Sequence, residues 1–212
     1  MPRIIPLVEG QGDVDAVPTL LYKLLHDRQE WQWHVGRPYR VRSLGALKKN
    51  LTYFVLKASK QKESGAILIL LDSDDDCPIE TAEALASEIR KFNLPQPVAI
   101  VFAHREYEAW FLASLPTIAG HHGLPADVVY QGEVEDRRDA KGWLRKQMPV
   151  DKYAPTTHQK KFTSLIDIEL AYENSRSFRR LYHAIEQLLA AAEKGERGYV
   201  SPLAEEAERR LL

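Results

Sequence analysis

The chain reads as an α/β protein built on a mainly parallel sheet flanked by helices, with a helical C-terminal region. Three observations predict this class. The apolar runs Ile4 to Val8, Ala66 to Leu71 and Val98 to Ala103 are short and bounded by glycine, proline or acidic residues. The second of them, Ala66-Ile67-Leu68-Ile69-Leu70-Leu71, shows no alternation at all, the pattern of a strand covered on both faces. Helical periodicity fills the gaps between the runs, and strand, helix and strand at such distances form a right-handed crossover in nearly all known structures.

Taken in order, Ile4 to Val8 is a buried strand that leads into the turn Glu9-Gly10-Gln11-Gly12. Asp13 is placed to cap a helix in which Val14, Val17, Leu20, Leu21, Leu24 and Leu25 share a face, although Pro18 lies inside the pattern and offers a later start. Alternation around Tyr39, Val41 and Ser43 gives Trp31 to Arg42 a strand character. Ser43 precedes an amphipathic helix with Leu44, Leu47, Leu51, Phe54 and Val55 on one side and Lys49, Lys57 and Lys60 on the other. After the central strand, Pro78 opens a helix to about Phe92, and Asn93 to Pro97 close it. Beyond Glu108 the pattern is helical through Ala113, then rich in glycine and proline to Gly132. Helices follow at about 140–148, 160–172 and 177–192, with 150–155 as a loop. The tail from Ser201, with Glu205, Glu206, Glu208, Arg209 and Arg210, reads as a surface helix.

With 212 residues, 44% of them hydrophobic, the chain is long enough to bury a good core. Its single cysteine, Cys77, excludes an internal disulfide and a cysteine zinc cluster, which points to a reducing compartment. No apolar stretch reaches the roughly 18 residues of a membrane span, and Met1-Pro2-Arg3 enters a strand pattern directly rather than a signal peptide. A cytoplasmic protein without membrane attachment is expected. The net charge of -1 is uninformative, but its distribution is not. Arg37 to Lys62 holds eight basic residues and no acid, whereas Leu70 to Ile89 holds seven acids and no base. Arg137 to Arg180 holds eleven bases against five acids. An acidic centre between basic segments suits a metal-dependent enzyme that acts on a polyanion.

The acids that matter stand at strand ends: Glu9 after the first strand, Asp72 and Asp74 after the second, Glu106 and Glu108 after the third. In a parallel sheet those ends lie on one edge, where open α/β folds place their sites. Clustered carboxylates repel one another unless a cation lies between them, and a hard divalent cation prefers carboxylate ligands. A capping turn is the alternative for an acidic run after a strand, and Asp75 and Asp76, next to Pro78, suit that role. Glu9 has no such excuse.

These residues carry a resemblance. Val8-Glu9-Gly10, Leu71-Asp72-Ser73-Asp74 and an acidic motif after the following strand resemble the Toprim fold of topoisomerases, bacterial primases and OLD-type nucleases. The chain is most similar to a branch of small bacterial Toprim-like proteins catalogued as a domain of unknown function, through Gln11, Glu108-Ala109-Trp110, Asp151-Lys152-Tyr153 and Ser177-Phe178. The resemblance implies a Toprim-like, Rossmann-like core over 1–115 and a mostly helical extension over 116–212 packed on it, or one compact unit. It further implies a Mg²⁺ site, with Mn²⁺ as a substitute, formed by Glu9, Asp72 and Asp74 and completed by Glu108 and Glu106. Glu9 serves alternatively as general acid or base, and Lys152, Lys160 or Lys161 would neutralise the transition state. The activity implied is nucleic-acid hydrolysis, on DNA or RNA, in partnership with an ABC- or AAA-type ATPase in phage defence. A topoisomerase needs a tyrosine on a further domain and a primase needs zinc-binding parts, neither of which this chain supplies.

Other residues divide between bland and functional roles. Trp110 and Phe111 read as core anchors, and His104 as a hydrogen-bonded histidine or a base. His121-His122 is too isolated for a zinc site. The basic run, with Arg40, Arg42, Lys49 and Lys57, is a solvated helix face or a phosphate-contact surface on which Tyr39 and Tyr53 offer stacking. A non-catalytic module whose acids hold a structural cation or dock a partner is the competing class. A small-molecule phosphotransferase is disfavoured, because no glycine-rich phosphate loop is present.

Overall fold

The computed structural model describes residues 1–201. The strands are β1 (Arg3–Val8), β2 (His34–Val35), β3 (Tyr39–Arg40), β4 (Ser64–Asp72), β5 (Pro97–Ala103) and β6 (Gly198–Ser201). They form one sheet in the order β2-β1-β4-β5-β6, with β3 also paired to β1, and every pairing is parallel. The α/β class with a mainly parallel sheet and a helical C-terminal region is therefore the observed architecture. Among the described residues no helix is long and apolar enough to cross a membrane.

Alternation along the central strands explains the two-sided burial. Ala66, Leu68 and Leu70 of β4 and Ala99, Val101 and Ala103 of β5 face one core, with α1 (Asp13–Asp27) and α9 (Arg176–Glu193). Ile67, Ile69 and Leu71, with Val98, Ile100 and Phe102, face the other, against α2 (Leu44–Ser59) and α3 (Pro78–Ile89). Continuous apolar strands are what a sheet sandwiched between helix layers requires. The chain leaves β1 toward β2 on one side and reaches β4 on the other. The strand order thus reverses between β1 and β4, which makes their carboxyl ends the topological switch point of the sheet.

Several local expectations are corrected. The helix after β1 begins at Asp13 and runs through Pro18, with Gly12 at its N-cap. Asp13 does not cap it; its carboxylate turns back to accept from Gly10 N at 2.6 Å and Gln159 Nε2 at 2.7 Å. The strand expected around Tyr39 is two short pieces separated by Pro38, which has no N–H for a ladder. Asp75 and Asp76 do not cap α3 either. Cys77 holds the N-cap position, and Pro78 at the first turn removes one of the donors a cap would satisfy. The helix expected over 160–172 is two, α7 (Lys160–Leu165) and α8 (Ile168–Asn174), because the Asp167 side chain accepts from Leu170 N at 2.9 Å and starts a new helix. A π-helical turn, Pro155–Gln159, precedes α7. The acidic and basic tail lies outside the described residues.

The remaining helices are α4 (Ala109–Ala113), α5 (Leu115–Ile118) and α6 (Ala140–Gln147). Trp110 and Phe111 are fully buried, as their apolar setting predicts. Trp110 Nε1 donates to Ser177 Oγ at 2.8 Å and its ring meets Phe178 edge-on at 5.5 Å. The Glu-x-Trp and Ser-Phe motifs are thus two halves of one contact between α4 and α9.

Candidate functional site

Three chain segments deliver acids to the switch point. Glu9 follows β1, Asp72 ends β4 and Asp74 lies two residues on, while Glu106 and Glu108 follow β5. The turns after β4 and β5 hold each other. Arg105 N donates to Ser73 Oγ at 2.7 Å and Asp74 N donates to Arg105 O at 3.1 Å. Asp74 and Arg105 both adopt left-handed backbone, with φ of 47° and 61°. Such conformations cost energy and tend to persist where the surroundings impose them, often near functional sites.

The centre of the cluster is a residue the sequence reading did not single out. Lys141 Nζ lies 3.1 Å from Asp72 Oδ2, 3.4 Å from Glu108 Oε2 and 3.6 Å from Glu106 Oε1. Its backbone N–H donates to Glu106 Oε2 at 3.0 Å. Lys141 stands in the first turn of α6, which Asp139 caps by accepting from Gly142 N at 2.7 Å. A cation in a helix's first turn opposes the helix dipole, so it needs nearby acids. A base in the first turn after the capping Asp139 is the mark that Lys141 leaves in the sequence.

Each acid is held differently. Asp72 Oδ1 accepts from Tyr107 N at 2.8 Å. Glu108 has no exposed surface; its Oε1 accepts from Tyr153 Oη at 2.9 Å, and its Oε2 has no hydrogen bond. Glu9 Oε2 is likewise buried without a hydrogen bond. Burial, then the charges of Asp72, Asp74 and Asp13, raise the Glu9 carboxyl to about 7, against a small opposing effect of Lys141. Burial also pushes Asp72 and Glu108 upward, with Lys141 pulling each back. Burial disfavours the Lys141 ammonium, but Asp72, Glu108 and Glu106 outweigh it and hold the group charged.

The other expected contributors separate. Lys152 is exposed, and it is its neighbour Tyr153 that reaches the acids. Lys160 and Lys161 are exposed on α7. Arg40 stands at the rim, donating to Glu9 O and Gln11 Oε1, both at 3.3 Å. Arg42 and Lys49 are exposed. Lys57 lies over the rings of Tyr39 and Tyr53, at 5.0 and 5.3 Å. Asp75 carries Arg105 at 3.4 Å and Arg138 at 3.3 Å. His104 is half-buried in the turn after β5.

Toward a divalent cation the donor set has the right chemistry, since carboxylates are the preferred ligands of Mg²⁺. The unpartnered, buried Glu9 Oε2 marks a local deficit of positive charge, as do the charges of Asp72 and Asp74, which add to burial in raising Glu9. Among the described residues no three acidic, histidine or cysteine side chains already enclose a point where an ion would sit. The acids therefore fit the cation by type and location, and their side chains must turn to close on it.

Residues 8–186 match the family described as Domain of unknown function (DUF4276), and the chain belongs to that family. No curated protein and no solved structure matches it.

Proposed function

We propose that this member of the DUF4276 family is a Toprim-type phosphodiesterase that hydrolyses nucleic acid with Mg²⁺, or Mn²⁺ in its place. One observation carries the reading: at the switch point of a parallel sheet Glu9 keeps a buried oxygen without a partner, next to the charges of Asp72 and Asp74. These three would hold the cation. When bound, the ion supplies Lewis-acid polarisation of a phosphoryl oxygen and a more acidic water. The chain's own groups do the rest. Lys141 fixes Asp72, Glu106 and Glu108 in place, and Tyr153 orients Glu108. General acid or base is the alternative role for Glu9: without the ion its carboxyl is raised to about 7, and bound to the ion it would stay a carboxylate ligand. Arg40 at the rim is placed to meet a phosphate.

Purified protein incubated with DNA and with RNA in Mg²⁺ or Mn²⁺ tests the proposal. Cleavage is expected, and Glu9→Gln, Asp72→Asn and Asp74→Asn are each expected to lower it at least 100-fold, in line with loss of a transition-state contact of a few kcal/mol. Cleavage that persists in all three variants places the chemistry elsewhere. The reading extends to a cytoplasmic effector that works with an ABC- or AAA-type ATPase in phage defence, on the strength of the Toprim resemblance; the cleavage assay is therefore run with and without such a partner. A second reading is favoured by Lys141, whose ammonium already pairs three acids: a non-catalytic subunit with an internal salt-bridge hub. Calorimetric titration separates the two, because the hub alone predicts no heat of binding with millimolar Mg²⁺ or Mn²⁺.

A further inference from the structure

The carboxylate cluster has two halves with different charge balance. On one side Asp72, Glu106 and Glu108 surround the Lys141 ammonium at 3.1 to 3.6 Å. On the other, Glu9 faces the charges of Asp72, Asp74 and Asp13, and its Oε2 has no hydrogen bond. Arg40, at the rim on that side, donates to Glu9's backbone carbonyl and to Gln11 Oε1.

We infer that the Lys141 ammonium permanently occupies one of two cation positions in this cluster, so that the chain takes up a single divalent ion, on the Glu9, Asp72 and Asp74 side. The inference rests on the cation-dependent reading above and specifies how many ions that site holds.

Lys141 is held too firmly to act as an ordinary surface lysine. Its own N–H and its ammonium grip the same Glu106 carboxylate from two directions. Ala140, Trp143 and Leu144 bury the inner face of α6 and fix where the side chain starts. Glu108 beneath it is fully buried, with Oε1 taken by Tyr153 and Oε2 facing only the ammonium. A buried carboxylate needs such a partner, and removing it leaves a charge that demands another. Two-metal sites space their ions about 3.5–4 Å apart. A second ion bridging Asp72 would therefore have to displace the ammonium from three carboxylates at once.

Counting bound Mn²⁺ by electron paramagnetic resonance at pH 8, on the full chain without substrate, tests this. Wild type is expected to bind one Mn²⁺ per chain, and Lys141→Met two, because an uncharged side chain, no longer held by the three carboxylates, swings aside and yields the second position. Lys141→Arg, which keeps the charge, is expected to bind one. A Lys141→Met protein that folds only when Mn²⁺ is added also supports the inference, since the ion then replaces the ammonium. Two ions in wild type, one in Lys141→Met, or a Lys141→Met chain unfolded even with millimolar Mn²⁺ overturns it and leaves the cation-dependent reading intact. No Mn²⁺ bound to wild type defeats that reading itself.

Discussion

Glu9 shows how a single side chain carries the electrostatic cost of the acid cluster. A carboxyl raised from 4.5 to about 7 means that the folded chain binds a proton the unfolded chain has released. Stability contributed by this group is therefore full below about pH 4.5 and is lost as pH rises through 7. The shift corresponds to roughly 3 kcal/mol at 1.36 kcal/mol for each pKa unit. Glu9→Gln removes the penalty. In a chelating buffer the variant should match wild type near pH 4.5 and exceed its unfolding free energy by about 2–3 kcal/mol above pH 7. Urea denaturation across that range measures the difference, and a gap that does not change with pH contradicts the assignment. Glu9 was legible in the sequence because an acid ending an apolar strand has few other uses. Lys141 left only a faint mark, a base in the first turn after the Asp139 cap, which does not say which acids from other elements it meets.

At the scale of elements, the site depends on a contact between the turn after β1 and the π-helical turn at Pro155–Gln159. Gly12 lies so close to that turn that an added Cβ would sit 2.9 Å from the Pro155 carbonyl carbon and 2.0 Å from Gln159 Oε1. Its φ of -66° is ordinary, so the glycine is required for space and not for backbone freedom. Gly12→Ala must push Pro155–Gln159 outward and strain the Gln159 to Asp13 hydrogen bond. A loss of about 1–3 kcal/mol is expected, the usual range for overpacking, and thermal denaturation reads it; an unchanged melting temperature would show that the two turns separate freely. Elements with many apolar residues were legible: β1, β4, β5 and the Ser43-capped α2. The two-residue β2 and β3 and the edge strand β6 were weakly marked or missed, because so few residues express no period and their pairing comes from the neighbouring strand. The break between α7 and α8 was missed because Asp167 competes with the backbone through its own side chain, an effect hydrophobic periodicity does not register.

For the whole molecule, charge is segregated rather than absent. A net charge of -1 gives no long-range pull on a polyanion, and at about 0.1 M salt interactions are screened beyond roughly 10 Å. Any attraction must come from bases close to the acids. The fold places Arg40 at the rim beside Glu9 and sets the basic α2, with Lys49 and Lys57, on the sheet face opposite α1. A nucleic acid lying over the switch point would therefore meet Arg40 first and α2 next, while Lys23 of α1, which donates to Ser164 O at 2.7 Å, would stay clear of it. Each phosphate contact contributes about 0.9 to the slope of log affinity against log salt on duplex DNA. Measured by fluorescence anisotropy with the cation chelated, the combined Arg40→Ala, Lys49→Ala and Lys57→Ala variant should lower the magnitude of that slope by about 2–3. Lys23→Ala should leave it unchanged. Equal slopes for wild type and the triple variant would make α2 a merely solvated face and would move the polyanion track to Arg105, Arg137 and Arg138 on the other side of the acids, where Asp75 already gathers Arg105 and Arg138.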